Sequence, residues 1–147
     1  MTWSDYRNGD IDIFLSRSVD HGKTWSPPQR VNDDPAHDGA DQYFQWMTVD
    51  PVTGAIYVQF YDRRADPKDY VNSVTLARST DGGHTFVNYE WADQRFEGHD
   101  VRLGDYMWLV AYDNRVYGTW SEPIAADTGA HAHYVPVVKV GTADFSH

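Results

Sequence analysis

The chain has 147 residues, a formal net charge of −10 and no cysteine, with 41% hydrophobic and 15% aromatic residues. The lack of cysteine excludes a disulfide scaffold, a Cys-type zinc finger and a thiol nucleophile, and the negative field argues against nucleic acid or an anionic membrane as a partner. Ten Tyr, six Trp and six Phe stand against four leucines, which suits pleated sheets better than helices, and no apolar run approaches a bilayer span.

In chain order, Trp3-Ser4-Asp5-Tyr6-Arg7 opens with a strand stub at 2–5. Ile11, Ile13 and Leu15 then interleave with Asp12, Phe14 and Ser16, the period of a half-buried strand, predicted over 11–17. Ser18-Val19-Asp20-His21-Gly22-Lys23-Thr24-Trp25 leads into a strand predicted near 24–31. His37-Asp38 lies nine residues ahead of Trp46, before a strand near 44–50. Asp50-Pro51-Val52-Thr53-Gly54 reads as a hairpin turn into a strand over 55–61. Phe60-Tyr61-Asp62-Arg63-Arg64 closes that strand, and strands near 73–79 and 85–91 flank Ser79-Thr80-Asp81-Gly82-Gly83-His84-Thr85-Phe86. His99-Asp100 again precedes a tryptophan, Trp108, by nine residues. Strands near 106–112, 115–121 and 133–140 complete the chain, the first two joined at Asp113-Asn114.

These landmarks repeat. The Ser-x-Asp-x-Gly-x-Thr-aromatic element recurs at an offset of 61 residues, and Trp3-Ser4-Asp5 answers to Phe60-Tyr61-Asp62 and to Trp120-Ser121-Glu122. Four antiparallel strands in roughly 60 residues is the plan of a propeller blade. A sandwich of simple hairpins is the alternative. The expected fold is therefore an all-β propeller fragment of four-stranded antiparallel blades, about half of a six-bladed ring. It divides into a partial blade at 1–34, a complete blade at 35–95 and a partial blade at 96–147.

The repeated Ser-x-Asp-x-Gly-x-Thr-aromatic motif resembles the Asp box, or bacterial neuraminidase repeat, of the sialidase superfamily. The resemblance extends through Trp46-Met47-Thr48-Val49-Asp50-Pro51, Tyr61-Asp62-Arg63-Arg64 and Gly104-Asp105-Tyr106. It implies that the boxes lie on the side away from the active centre. Ser18, Asp20, Gly22, Trp25, Ser79, Asp81, Gly83 and Phe86 are accordingly read as structural. The resemblance also implies an arginine triad for a substrate carboxylate, a Tyr–Glu nucleophile pair and an Asp acid/base. The Arg-Ile-Pro motif of the first arginine is absent, and Arg64 and Arg102 are the candidates for the other two. Secretion or a periplasmic location is a further implication, although no signal peptide opens the sequence.

In a propeller the inter-blade loops and the loops after second strands meet around one upper mouth. That places Asp62, Asp105, Arg64 and Arg102 as candidate catalytic residues and Asp41, Arg63 and Glu122 as candidate ligand-binding residues, with His131 and His133 nearby. His37, Asp38, His99 and Asp100 are candidate ligands for a divalent metal, zinc or calcium, that lowers the pKa of a bound water. Two readings remain open. One is a metal-assisted hydrolase of a polar or anionic small molecule. The other is a non-catalytic glycan-binding or scaffold module, with arginines gripping anionic groups and aromatics stacking on sugar faces. Open blade faces and edges further predict a homo-oligomer, a dimer or trimer completing the ring.

Overall fold

The computed structural model describes residues 1–97, 103, 107–127 and 133–147. The described chain is all-β, without a helix, and forms antiparallel sheets that follow one another along the sequence. The first sheet pairs β1 (Thr2–Asp5), β2 (Asp12–Leu15) and β3 (Gln29–Arg30) in that order. The second runs β4 (Gln42–Val49), β5 (Ile56–Asp62), β6 (Val71–Ser79) and β7 (Val87–Glu90), with β8 (Phe96–Glu97) pairing the start of β6. The third joins β9 (Trp108–Tyr112), β10 (Arg115–Ala125) and β11 (Tyr134–Asp144).

Two expectations need correction. The strand predicted over 24–31 contracts to Gln29–Arg30, because Pro27 and Pro28 bring no N–H to a ladder. The strand predicted to end at 121 continues to Ala125, since β11 pairs it residue for residue from Arg115 to Ala125.

Alternation determines how the sheets pack. On β10, Val116, Gly118, Trp120 and Glu122 are buried while Arg115 and Tyr117 are exposed. β5 is covered on both sides. Val58 and Phe60 join Ile13, Leu15, Val31 and Ala77 in the seam between first and second sheets. Tyr57 and Tyr61 enter the seam between second and third, against Leu109, Ala111 and Val116 at one end and Met107 and Trp120 at the other. Burying one such large side chain contributes about 1.5–3 kcal/mol.

The second and third sheets share a register. Tyr57, Gln59 and Tyr61 face Arg78, Leu76 and Val74 across the ladder; Tyr117, Thr119 and Ser121 face Thr142, Val140 and Val138 in the same way.

Polar staples join the sheets as well. Asp50 is fully buried and accepts backbone N–H bonds from Val52 (2.9 Å) and Thr53 (3.3 Å) in its own turn and from Asp113 (3.1 Å) and Asn114 (2.7 Å) across the seam. Gln59 donates to the Thr119 carbonyl at 3.0 Å, and the Tyr61 hydroxyl donates to the Ser121 carbonyl at 2.8 Å. Opposed glycines on β10 and β11, Gly118 and Gly141, leave a slot for the Trp91 indole. A Cβ at Gly118 would overlap Gln59 Oε1 and stand 2.6 Å from Trp91.

Candidate functional site

The repeated aromatic-x-carboxylate step places a hydrogen-bonded carboxylate at Asp5, Asp62 and Glu122, each with its own donors. Asp5 accepts the Trp3 indole N–H at 2.7 Å and the Arg7 Nε–H at 2.8 Å. Asp62 accepts from Arg64 at Nε (2.7 Å) and at the backbone N (3.0 Å). Glu122 accepts the Trp120 indole N–H at 2.7 Å. The Arg7 guanidinium, above all, holds the Asp5 carboxyl well below the usual carboxylate range.

Around Asp62 these bonds extend into a network. Asp62 is buried and also accepts the Thr75 hydroxyl at 2.7 Å. Arg64 reaches across the first seam to Asp33 and Asp34, and donates to Asn88 Oδ1 at 2.9 Å. Behind it, the Asn32 amide lies 2.6 Å from Asp12, 2.8 Å from Asp34 and 2.6 Å from Gln42. Arg30 pairs with Asp12 at 2.6 Å and with Asp34 at 3.1 Å. Burial pushes the Asp34 carboxyl upward against these donors. Burial alone would weaken the Arg64 charge, but Asp62 and the neighbouring carboxylates raise its pKa instead.

In front of this network lies a cleft of about 210 Å³. Asp62 and Arg64 form one wall, Ser73 and Thr75 of β6 the floor, and Asn88, Glu90 and Arg95 the other wall, with Ala65 also on the lining. Arg95 grips Glu90 through both oxygens, at 2.8 and 3.1 Å, and that contact holds the Glu90 carboxyl down. The four charged groups of the lining are two carboxylates and two guanidiniums, each already paired.

Asp41 and Arg63 belong to a second cluster. Arg63 donates to Asn72 Oδ1 at 2.9 Å and to the Asp69 carbonyl at 3.0 Å, and its guanidinium lies over the Tyr43 ring at 5.0 Å. Asp41 accepts the Ile11 N–H at 2.9 Å; burial, together with the Asp69 charge, raises its carboxyl. Both residues are thus held by neighbours in the loops and on β4 and β6.

Of the four candidate metal ligands, the structure describes His37 and Asp38. His37 rests its Nδ1 on the Asn8 carbonyl, and Asp38 accepts the Ala40 N–H at 2.9 Å. Among the described residues no group of three or more His, Asp or Glu is placed to hold a metal ion. His99, Asp100, Arg102, Asp105 and His131 lie outside the described residues. Glu122 was expected at the mouth and is instead fully buried, with Lys139 at 3.5 Å. The extension of β10 puts it on the inward face with Trp120.

The two Ser-x-Asp turns are alike. Asp20 accepts the Ser18 hydroxyl at 2.7 Å, the Thr24 hydroxyl at 2.6 Å and the N–H groups of Lys23 and Thr24. Asp81 repeats this with Ser79, His84 and Thr85. The threonine bonds, first among these, lower both carboxyls, Asp20 to about 2. In the second turn Phe86 packs on the first-seam core and Gly83 sits close to Leu15, where a Cβ would meet its Cδ2 at 2.8 Å. In the first turn Gly22 has open space except for Trp25 at 3.9 Å, and Trp25 is half-exposed.

Asn88, Glu90, Arg95, Asn32 and Gln42 escaped the sequence reading. Of these, Asn88 and Glu90 come from β7, a strand, and not from the loops of the upper mouth. The available signal was a polar residue at alternate positions of a predicted strand.

No family model matches the sequence, and none of the curated proteins does. Among solved structures the chain is similar to the Hadza microbial sialidase Hz136. The match has a TM-score of 0.52 and 18% identity and covers 92% of this chain. The chain spans 29% of that sialidase's length. The fold is sialidase-like, and the sheets are successive blades of a partial propeller.

Proposed function

We propose that this propeller segment binds a neutral, hydroxyl-rich small molecule, a carbohydrate unit, in the cleft in front of Asp62. The observation that carries the reading is the charge balance of the lining. Arg64 and Arg95 are matched by Asp62 and Glu90, so a free anion would find no unpaired cation there. A sugar hydroxyl both donates and accepts, and paired carboxylates retain lone pairs that can accept from it. Ser73, Thr75 and the Asn88 amide add short polar partners on two sides of the same space. The cleft lies below the usual size range for whole ligands, and suits one ring of a longer glycan.

Ala65 stands exposed on this lining, so Ala65→Trp should fill the cleft without disturbing the core. Saturation-transfer NMR with methyl glycosides of neutral hexoses is expected to show contact with the parent chain and none with Ala65→Trp, at unchanged melting temperature. Sialic acid and uronic acids should bind more weakly than the neutral sugars. Stronger binding of the anionic sugars, or a hexoside signal that survives Ala65→Trp, would overturn the reading.

A further inference from the structure

The third sheet turns an apolar face outward. Val110 on β9, Tyr117 on β10, and Val138 and Val140 on β11 are 48–72% exposed. Cross-strand pairing puts them on one face, Val110 opposite Tyr117 and Val140 opposite Thr119, two positions along β10 from Tyr117. Contiguous apolar surface of this kind marks an interaction site in soluble proteins.

The shared register says what kind of surface this is. Tyr117, Val140 and Val138 occupy the ladder positions of Tyr57, Leu76 and Val74 in the second sheet. Those three are 0%, 1% and 0% exposed, and the third sheet is what covers them. Val138 and Val140, at the same positions one sheet further on, are 72% and 68% exposed. The face is therefore built to receive a sheet, continuing the series of seams already present in the chain.

We propose that a second copy of this chain docks on this face, presenting its own first sheet as the next blade. On the side of the first sheet that faces away from Ile13 and Leu15, Trp3 stacks on Phe14 at 6.1 Å; Trp3 is partly exposed and Phe14 is itself buried. The Arg7 guanidinium lies 4.3 Å over the Phe14 ring, and the register puts Asp5, Asp12 and Arg30 on the same side. The contact is head-to-tail: the third sheet of one copy meets the first sheet of the other. Such contacts form a closed ring when the rotation per copy divides a full turn. A net charge of −10 on each copy opposes approach, so added salt should strengthen the association.

Sedimentation velocity and light scattering on the intact chain, from low to high micromolar concentration, test this. The expected mass is twice that of one chain, with the dimer fraction rising at higher salt. Val138→Lys combined with Val140→Lys changes side chains that are exposed in the single chain, so its fold should survive. It should weaken association at least about tenfold. Arg7→Ala on the other side gives an independent check and should also weaken it. A parent chain that stays at single-chain mass throughout would mean that something else covers the face, and would sink the proposal. So would a double-lysine variant that dimerises as the parent does.

Discussion

At the scale of single residues, Asp50 shows how one carboxylate holds two sheets together. Burial by itself would raise its carboxyl, yet four backbone N–H groups, Asn114 foremost, outweigh it and hold the value at about 2. The sign of the pH dependence follows. A folded value below the ordinary 3.8 means the contribution is complete above about pH 4 and is lost as pH falls toward 2. Asp50→Asn should cost about 1–3 kcal/mol at neutral pH, since at least one buried N–H loses its acceptor. The stability gap between parent and variant, measured by urea unfolding, is expected to close between pH 4 and pH 2. A gap that stays constant over that range would show that the carboxylate charge is not what binds the turn to the third sheet. Asp34 and Asp41 have the opposite sign, because burial raises both. Their ionised forms weigh against the fold as pH rises, so the comparison of parent with variant is needed to isolate Asp50.

At the scale of elements, the glycine slot on β10 and β11 is the tightest fit in the second seam. Gly118→Ala puts a methyl group into space held by Gln59 and Trp91, and neither can retreat without leaving its own partner, the Thr119 carbonyl for Gln59 and the Thr142 carbonyl for Trp91. Overpacking of this kind costs about 1–3 kcal/mol, read as a lower denaturation midpoint. An unchanged midpoint would mean that Trp91 is not seated between the glycines. The strands themselves were legible where alternation was strong. β2, β5 and β10 show period two in the residues alone, and the turn at Asp50 carries its own residue chemistry. β3 is shorter than predicted because Pro27 and Pro28 bring no N–H to the ladder. β8 was missed because a pair of residues has no period to read. The candidate site was legible only in part. Asp62 and Arg64 were named from the repeat, but residue type cannot say whether an arginine meets a ligand or, as here, the carboxylates of the neighbouring sheet. Glu122 was misplaced for a related reason: the length of β10 is set by its partner β11, which lies beyond any local window.

At the scale of the whole molecule, the sheets differ in what holds them. The first seam pairs an apolar core with a charged network running from Asp12 through Asn32 to Arg64. The second seam is bound mainly by rings, backbone bonds and the Asp50 clamp. Its rings carry a consequence of their own. Trp46 on β4 lies 5.1 Å from Trp108 on β9, stacked, and Trp91 lies 5.6 Å from Trp120 on β10. Each pair has one indole in the second sheet and one in the third, whereas Trp3 and Trp25 belong to the first. Indoles this close share their electronic excitation, so each pair is a coupled chromophore that yields a split band of opposite signs in circular dichroism. The protein therefore has a built-in optical gauge of one seam. Trp46→Phe with Trp91→Phe should abolish the split band while leaving the sheet signal intact. In the parent, the band should fade when the third sheet separates from the second, whatever happens between the second and the first.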